Sequence, residues 1–518
     1  MRIKTRKVIV SVLTLLLLVP FIHQTSRSAL AEVVPTGKVT VAVPSNINSL
    51  SPPNNAGWIG QACNWQMFDT LVYRDPDTLK VVPHLAESWK LINNTTWEFN
   101  LRRDIHFHNG EPFNAAAVKW TLEKNLDPKL KFPSRGLLAR FLSKIEAMDE
   151  YRVRITTPAP MPILLEIMVM VQMLPPSYIN KVGWEVFGKR PIGTGPFKFV
   201  EWVKGQRLVM EANENYWKTK PAVKTIVMRP IPETATQMAE LLSGGVDLIF
   251  KVPPDQIPII ERSKKARIVK GPALRTVYLL LDAMGRGGKS PIQDLKVRQA
   301  ISHAVNVKPI IEHILGGLAT RANTGLSPDV FGADKTISAP EYDPQKAKRL
   351  LAEAGYPNGF SMTLNTHAGS ITSADQVMLA VAGQLSKVGI DVKTRFMEDA
   401  GTFTKAMISG KLNDAILHSW GYGGMFDAHM FYIYMFRKGS RWSYAQDDDL
   451  HKMVTGASAT MDVEKRRELY AQAQRLIKKN VYLVPMYAQT YIIGVSNKIN
   501  YSHATDERVR LFDITWRK

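Results

Sequence analysis

The sequence predicts an α/β fold that is divided into two or three lobes. Short runs that alternate apolar and polar residues, the pattern of half-buried strands, recur along the chain with amphipathic helical segments between them. Residues 360–395 give a strand, a helix and a strand in that order, which is typical of a parallel βαβ crossover. Residues 32–518 are too many for one hydrophobic core, so we expect more than one lobe.

In the first half of the chain, strands outnumber helices. Val39, Val41 and Val43 alternate before Pro44 and predict the first strand. Asn114 is the expected N-cap of one helix, and Gly244 is the expected end of another. The predicted elements are strands at 38–43, 97–101, 151–156, 197–202, 207–212, 224–230 and 246–250, and helices at 115–126 and 234–243.

The second half has the clearer helices. Val297, Ala300, Ile301 and Ala304 fall on one helical face, and Asp294 before them is the expected N-cap. Tyr432, Tyr434 and Phe436 recur at period two and are interpreted as packing residues. The further predicted elements are strands at 275–281, 360–364, 390–395 and 481–495, and helices at 343–354, 373–388 and 463–478.

Residues 1–31 have the three parts of a cleavable export signal. Four Lys or Arg residues lie among the first seven, 8–22 is largely apolar, and Ala-Leu-Ala at 29–31 supplies the cleavage pattern. The apolar run is too short for a spanning helix, which needs about 20 residues. We therefore expect a mature chain that begins near Glu32. Because no Cys lies near the cleavage site, we expect a periplasmic protein without a lipid anchor.

Composition narrows the function classes. The formal net charge is +21, but the Lys and Arg residues are spread along the chain, which favours a solvated surface with a bias toward anionic ligands. Nucleic acid is not an expected partner of an exported protein. The single cysteine, Cys63, cannot form an intramolecular disulfide and is expected to be a small buried residue.

Several ordered motifs then carry a resemblance to a known family. They read L-A-E-S-W-K at 85–90, L-R-R-D-I-H-F-H-N-G-E-P-F at 101–113 and G-T-G-P-F at 193–197. The chain resembles the dipeptide and oligopeptide class of periplasmic solute-binding proteins, the extracytoplasmic receptors of ABC importers. Further matching segments lie at 213–217, 241–247, 297–306 and 342–355.

The resemblance implies a bilobal periplasmic-binding-protein fold (type II, large three-lobe class) with a hinge between the lobes. Lobe I would take residues 32–57, 190–274 and 485–518, an extra small lobe 58–189, and lobe II 275–484. Two chain crossings would form the hinge, and closure would enclose the solute. The implied partners of this monomer are a small solute and the permease subunits of an ABC transporter, and no cofactor is implied.

The resemblance also implies a ligand-binding segment in lobe II. Peptide-binding relatives carry a Trp followed three residues later by an Asp that pairs with the peptide's α-ammonium. Here Trp420 is present, but Gly423 stands at the Asp position and the nearest carboxylate is that of Asp427. The neighbouring candidates for solute contact are Ser419, Gly421 and Tyr422.

Dipeptide-specific relatives also hold the substrate carboxylate with an Arg in a lobe II loop, and the corresponding loop at 365–373 has none. His367, Gly369 and Ser370 are its candidate contacts, and backbone N–H groups before the following helix suit an anion. A plain N-cap role for Ser373 is the simpler interpretation. Aromatic and loop residues complete the predicted site: Trp442, Tyr444, Trp58 and Asn48.

Two alternatives to a peptide receptor stay open. The same receptor role for a sugar, a sugar-phosphate or an opine-like conjugate follows from the missing Asp and Arg and from the hydroxyl-rich loop. A secreted metal-dependent enzyme is the other alternative, since His106 and His108 share one face of a strand. No third ligand accompanies them, and no hydrolase or nucleotide-binding motif is found in the sequence.

Overall fold

The computed structural model describes residues 33–55, 57–421 and 425–518. The predicted signal at 1–31 therefore lies outside the described residues. Among those that are described, no helix is long and apolar enough to cross a membrane. We keep the names lobe I, extra lobe and lobe II for the three predicted sets of ranges.

Strands dominate lobe I and the extra lobe. The strands found in the described ranges are β1 (Thr36–Val43), β2 (Val72–Arg74), β3 (Val81–Pro83), β4 (Ala86–Asn93), β5 (Thr96–Leu101), β6 (Lys144–Ala147), β7 (Arg152–Thr156), β8 (Phe197–Val203), β9 (Arg207–Ala212), β10 (Val223–Pro230), β11 (Leu248–Phe250), β12 (Ala266–Leu281), β13 (Ala319–Arg321), β14 (Phe360–His367), β15 (Ile390–Met397), β16 (Ala415–Trp420), β17 (Leu483–Ser496), β18 (Ile499–Asn500) and β19 (Thr515–Trp516).

The longer helices lie mainly in lobe II. The α-helices found in the described ranges are α1 (Trp58–Met67), α2 (Ala115–Leu126), α3 (Arg135–Leu138), α4 (Leu164–Met168), α5 (Pro176–Lys189), α6 (Thr234–Ser243), α7 (Ile257–Arg262), α8 (Leu295–Ala304), α9 (Val307–Pro309), α10 (Pro344–Glu353), α11 (Ala374–Ser386), α12 (Ala400–Ile408), α13 (His429–Met435), α14 (Asp448–Ala459) and α15 (Val463–Asn480).

One large sheet runs through lobes I and II. Its strand order over the described residues is β15-β14-β16-β12-β17-β11-β1-β10-β9-β8, and β13 pairs with β17. β14 and β15 are parallel with α11 between them, which confirms the predicted crossover. The long antiparallel strands β12 and β17 lie at the centre of this order, so both lobes share one hydrogen-bonded ladder.

The two predicted chain crossings lie in these two long strands. β12 pairs with β17 from Ala266 to Pro272 and again from Thr276 to Leu280, and the register shifts between the two stretches. A break in register locally disrupts a ladder and bends it. Both predicted chain crossings fall inside β12 and β17.

The extra lobe is built on an antiparallel sheet whose order in the described residues is β4-β5-β7-β6. The predicted range 58–189 also contains α1 and α5, but these helices bury Cys63, Met67 and Phe187 in one core with Val39 and Val41 of lobe I. They therefore pack as part of lobe I. Cys63 is buried as expected, and burial raises the pKa of its thiol to about 12.

The helix ends that the sequence predicts at Asn114, Asp294 and Gly244 are present in the structure. The side chain of Asn114 accepts a hydrogen bond from Ala117 N, and that of Asp294 accepts one from Lys296 N. Gly244 ends α6 in the left-handed region at φ 91°. The interpretation of residues 432–436 as packing residues is confirmed for Tyr432 and Phe436, which are buried in the core of lobe II, and these residues lie in or just after α13.

Candidate functional site

The candidate site forms where β16 ends beside the hinge strand β12. The two strands are antiparallel with Thr276 opposite Trp420, so Arg275 comes next to Gly421. The guanidinium of Arg275 donates from Nη1 to Ser419 Oγ at 3.3 Å. A Cβ atom at Gly421 would lie 2.3 Å from Arg275 Nη2, so a glycine here makes room for the cation.

The loop after β14 packs against the same place. β14 extends to His367, which shortens the predicted loop. His367 Nδ1–H donates to Ala368 O at 2.7 Å, and the hydroxyl of Ser370 donates to His367 Nε2 at 3.1 Å. Ser370 O accepts a hydrogen bond from Gln489 Nε2 at 3.0 Å. Three predicted contact residues, His367, Gly369 and Ser370, are thus held together by their own hydrogen bonds and the hinge strand β17.

Lys251 of lobe I reaches this loop from the opposite side. Its Nζ donates to Gly369 O in lobe II at 2.9 Å, and it lies 6.0 Å from the ring centroid of Trp58. Desolvation and the neighbouring positive charge of Arg275 both lower the pKa of Lys251. A cation from lobe I therefore bridges the two lobes.

Glu507 brings a carboxylate to the same place. Its Oε2 lies 3.8 Å from Arg275 Nη2, and its backbone O accepts a hydrogen bond from Trp58 Nε1 at 3.4 Å. The preceding residue, Asp506, forms a bidentate pair with Arg510 at 2.7 and 2.6 Å. This buried pair fixes the C-terminal segment that carries Glu507.

The aromatic candidates of lobe II form a connected row. The ring centroid of Trp420 lies 5.7 Å from that of Phe431 and 6.0 Å from that of Tyr434. Trp442 contacts the other side of Tyr434 at 6.3 Å. The indole Nε1 of Trp420 is buried without a hydrogen-bond partner among the described residues. This donor is therefore unsatisfied within the part of the chain that the structure describes.

Two predicted contact residues do not reach this cluster. Tyr444 is fully buried and its hydroxyl donates to Met407 O at 2.9 Å, so it belongs to the core of lobe II. Asn48 is exposed and lines a groove of about 900 Å³ together with Trp184 and Trp202. The residues that line this groove belong to lobe I and the extra lobe. The predictions for Tyr422 and Gly423 lie outside the described residues.

Asp427 is not free to bind a ligand. Both of its carboxylate oxygens accept from Arg466 Nη2 at 2.8 Å, and both residues are buried. Its Oδ1 also accepts from His429 N at 2.9 Å. The carboxylate nearest in sequence to the expected Asp position therefore stabilises the inside of lobe II.

The predicted anion site before α11 is also altered. Thr372 N donates to Gln489 Oε1 at 2.8 Å, so that N–H group is already satisfied. Ser373 has φ 52° and makes no side-chain cap bond, which corrects the N-cap interpretation. The turn before α11 therefore differs from both predictions, the Ser373 N-cap and the set of free backbone N–H groups for an anion.

The two histidines of the enzyme alternative do not form a metal site. His106 is exposed, whereas His108 accepts from Gly193 N at 3.3 Å and donates to Gly195 O at 2.9 Å. Burial lowers the pKa of His108 to about 4. In the part of the chain that the structure describes, no group of three or more His, Cys, Asp or Glu residues is placed to hold a metal ion.

The sequence matches the family described as bacterial extracellular solute-binding proteins, family 5 Middle, over residues 80–443. The chain belongs to this family. Its relatives include the Glutathione-binding protein GsiB of Pectobacterium atrosepticum, 32% identical over 72% of this chain and 71% of the relative. GsiB of Shigella boydii serotype 4 is 28% identical over 89% of this chain and 91% of the relative.

Solved structures agree with the family 5 assignment. The periplasmic binding protein DppA from Helicobacter pylori, in complex with the peptide STSA, is 25% identical with a TM-score of 0.80 and covers 93% of this chain and 98% of its own. This confirms the predicted bilobal fold and the role of an ABC-importer solute-binding protein. The family motif G-T-G-P-F has a local reason, since Cβ atoms at Gly193 and Gly195 would lie 2.1 and 2.4 Å from Met67 backbone atoms.

Sequence reasoning missed three charged residues of this family 5 site: Lys251, Arg275 and Glu507. Arg275 begins the predicted strand 275–281, whereas the family resemblance marks only the loop at 365–373 as the place of a carboxylate-binding cation. Lys251 and Glu507 lie in different segments of lobe I, and no local pattern marks them. Their one shared signal is a positive φ, 57° and 58°, which only the folded backbone reveals.

Proposed function

We propose that this family 5 protein captures a short peptide between its lobes and delivers it to the permease of an ABC importer. The observation that carries the proposal is the convergence of Arg275, Lys251 and Glu507, from both lobes, on one point beside Trp58. A short peptide has charged ends and a polar backbone, so it suits charged groups set in a partly apolar wall. The names of its relatives, which bind glutathione or the peptide STSA, support the same class of solute.

Contacts between the lobes support a closed state of the receptor. Lys251 joins lobe I to Gly369 of lobe II, and Arg275 faces Glu507 across the same boundary. On the far side, Glu166 of the extra lobe pairs with Arg74 and accepts from Phe426 N of lobe II at 2.9 Å. A solute that binds better to this closed state would shift the receptor toward it.

The proposal includes location and partners. Residues 1–31 would direct the chain to the periplasm and be removed, and the mature monomer would meet the permease subunits there. The protein would bind its solute without chemical change, because the converging side chains hold charge but include no activated nucleophile with a partner base.

A thermal-shift screen followed by calorimetry tests the peptide class. Di- and tripeptides should raise the melting temperature, since a ligand at 100 times its Kd stabilises the native state by about 2.7 kcal/mol. Sugar-phosphates and opines are the comparison set, because the sequence left them open. A shift with those compounds and none with peptides would overturn the proposal. Loss of the bound peptide to hydrolysis during the measurement would contradict the receptor role.

A further inference from the structure

Glu507 is held in a position that is costly for a glutamate. Its φ is 58°, in the left-handed region that residues with a Cβ rarely adopt, and such a conformation costs roughly 1 kcal/mol or more. The side chain is only 15% exposed. The bidentate Asp506–Arg510 pair, with side-chain exposures of 0% and 5%, holds the turn in this conformation. Backbone strain of this kind is concentrated at functional sites.

The carboxylate of Glu507 is also incompletely paired. Its Oε1 is buried without a hydrogen-bond partner among the described residues. Its Oε2 is 3.8 Å from Arg275 Nη2, which is beyond hydrogen-bond distance. A buried charged oxygen without a donor is costly, so this oxygen is ready to accept a hydrogen bond from a cation.

A further polar group near Glu507 also has no partner among the described residues. The hydroxyl of Tyr491 is buried and unpaired in the described chain, and its ring centroid lies 6.5 Å from that of Trp58. Glu507 Oε1 and the Tyr491 hydroxyl are therefore two unsatisfied polar atoms beside one ion pair, which indicates a place that a polar ligand completes.

We propose that Glu507 and Arg275 together recognise a free α-amino-acid head group, with the ammonium on Glu507 and the carboxylate on Arg275. The two side chains are close together, so they match an ammonium and a carboxylate carried by the same carbon atom. An ordinary α-linked peptide carries these charges at opposite ends. A γ-glutamyl peptide presents both at one end, and it is the class of solute that this pair fits. This inference rests on the proposed peptide-receptor function.

Calorimetry with three tripeptides separates the possibilities. The probes are S-methylglutathione, its isomer in which glutamate is linked through the α-carboxyl, and N-acetyl-S-methylglutathione. We expect the γ-linked compound to bind more than about tenfold tighter than either of the others. Equal binding of all three would overturn the head-group inference and leave the peptide-receptor proposal standing. If none binds and no other peptide does, the proposed function itself fails.

The variant Glu507→Gln tests the residue directly. It should weaken the γ-linked compound by more than about tenfold and leave the N-acetyl compound unchanged, so that the preference disappears. A purely structural Glu507–Arg275 ion pair would instead lower the affinity for both compounds equally. Glu261→Gln, which removes an exposed carboxylate elsewhere in lobe I, is the matched control and should change neither affinity. The melting temperature of each variant checks that it is folded.

Discussion

Arg275 and Gly421 form a matched pair, in which the guanidinium occupies the volume that a side chain on Gly421 would need. An ideal Cβ on Gly421 would lie 2.3 Å from Arg275 Nη2 and 2.6 Å from its Cζ. The guanidinium reaches Ser419 Oγ only because Gly421, the residue after β16, has no side chain. The pairing of β12 with β16 therefore places the arginine without help from the loop after β14.

Removing the cation should weaken peptide binding. We expect Arg275→Ala to raise the Kd for the best peptide of the thermal-shift screen by more than tenfold, which corresponds to about 1.4 kcal/mol. Lys270→Ala removes an exposed cation from the same strand and should leave the Kd unchanged. Calorimetry at one ionic strength measures both variants. An Arg275→Ala protein that binds as tightly as Lys270→Ala would rule out a role for the guanidinium.

Gly421→Ala should act through Arg275. The added methyl group forces the flexible end of the arginine to move, so we expect weaker peptide binding with a small change in unfolding free energy. In an Arg275→Ala background the three atoms nearest to that methyl group are absent, so we expect it to cost little further. A double-mutant cycle on the two residues should therefore show strong coupling. Additive effects would mean that Gly421 acts independently of the arginine.

Trp420 should contribute directly to solute binding. Trp420→Ala is expected to weaken binding more than tenfold, or about 1.4 kcal/mol, since it removes both the indole face and the unpaired Nε1 donor. Trp420→Phe retains packing against Phe431 and Tyr434 but removes the Nε1 donor. It therefore separates the contribution of the donor to binding from that of the apolar ring. Calorimetry with the screened peptide measures both variants, and an unchanged affinity in the alanine variant would refute the prediction.

Asp427 should matter for stability and not for recognition. Asp427→Asn leaves the buried guanidinium of Arg466 without its counter-charge, and breaking a buried pair costs about 3–5 kcal/mol. Urea unfolding measures this loss, and the peptide Kd of the folded variant should stay unchanged. Asp448→Asn breaks the exposed pair with Lys438 and should leave the free energy of unfolding almost unchanged, because water already screens that pair. A large rise in Kd for Asp427→Asn would instead assign this carboxylate to the solute.

The protein should lose stability in acid because it buries neutral histidines. Burial lowers the pKa of His84, His418 and His429 to about 3, below the ordinary value of about 6.5. The unfolded chain therefore binds more protons between these values. The free energy of unfolding should fall as the pH drops from about 6.5 toward 3, by at most about 1.4 kcal/mol per pH unit for each histidine.

One variant and one control test this acid sensitivity. His429→Gln should reduce the slope of unfolding free energy against pH by at most the contribution of one histidine. The substitution breaks no hydrogen bond of Nδ1, because that atom has no partner among the described residues. His106→Gln replaces an exposed histidine and should leave the curve unchanged. Urea unfolding at a series of pH values gives the slopes. A wild-type stability that is constant from pH 6.5 to 4 would contradict the prediction.

The sequence predicts elements well where the signal is local. The strand β1, the helix α2 with its Asn114 cap and the α6 end at Gly244 all follow from neighbouring residues. The helix α13 was not predicted for a physical reason: both of its faces are largely buried, so its apolar residues show no helical period. A fully buried helix cannot be distinguished by its pattern from packed strand residues.

The site was only partly predictable because many of its contacts join residues that are distant in the sequence. His367, Ser370, Ser419 and Gly421 come from segments that the family resemblance marks, and the structure brings them together. Arg275 and Glu507 meet only through the pairing of distant strands and the fold of the C-terminal segment. Tyr444 was misplaced because an aromatic residue in a polar stretch carries no sign of whether its ring faces a core or a cleft.

The position of β17 has a consequence for how the chain is made. This strand lies between β12 and β11 at the centre of the large sheet, yet it comes from residues 483–496 of a 518-residue chain. Chains are synthesised from the N-terminus, so the middle of the sheet is missing until residues 483–496 have been made. Neither lobe has its central partner strand before then. The topology alone therefore delays the completion of both lobes during synthesis.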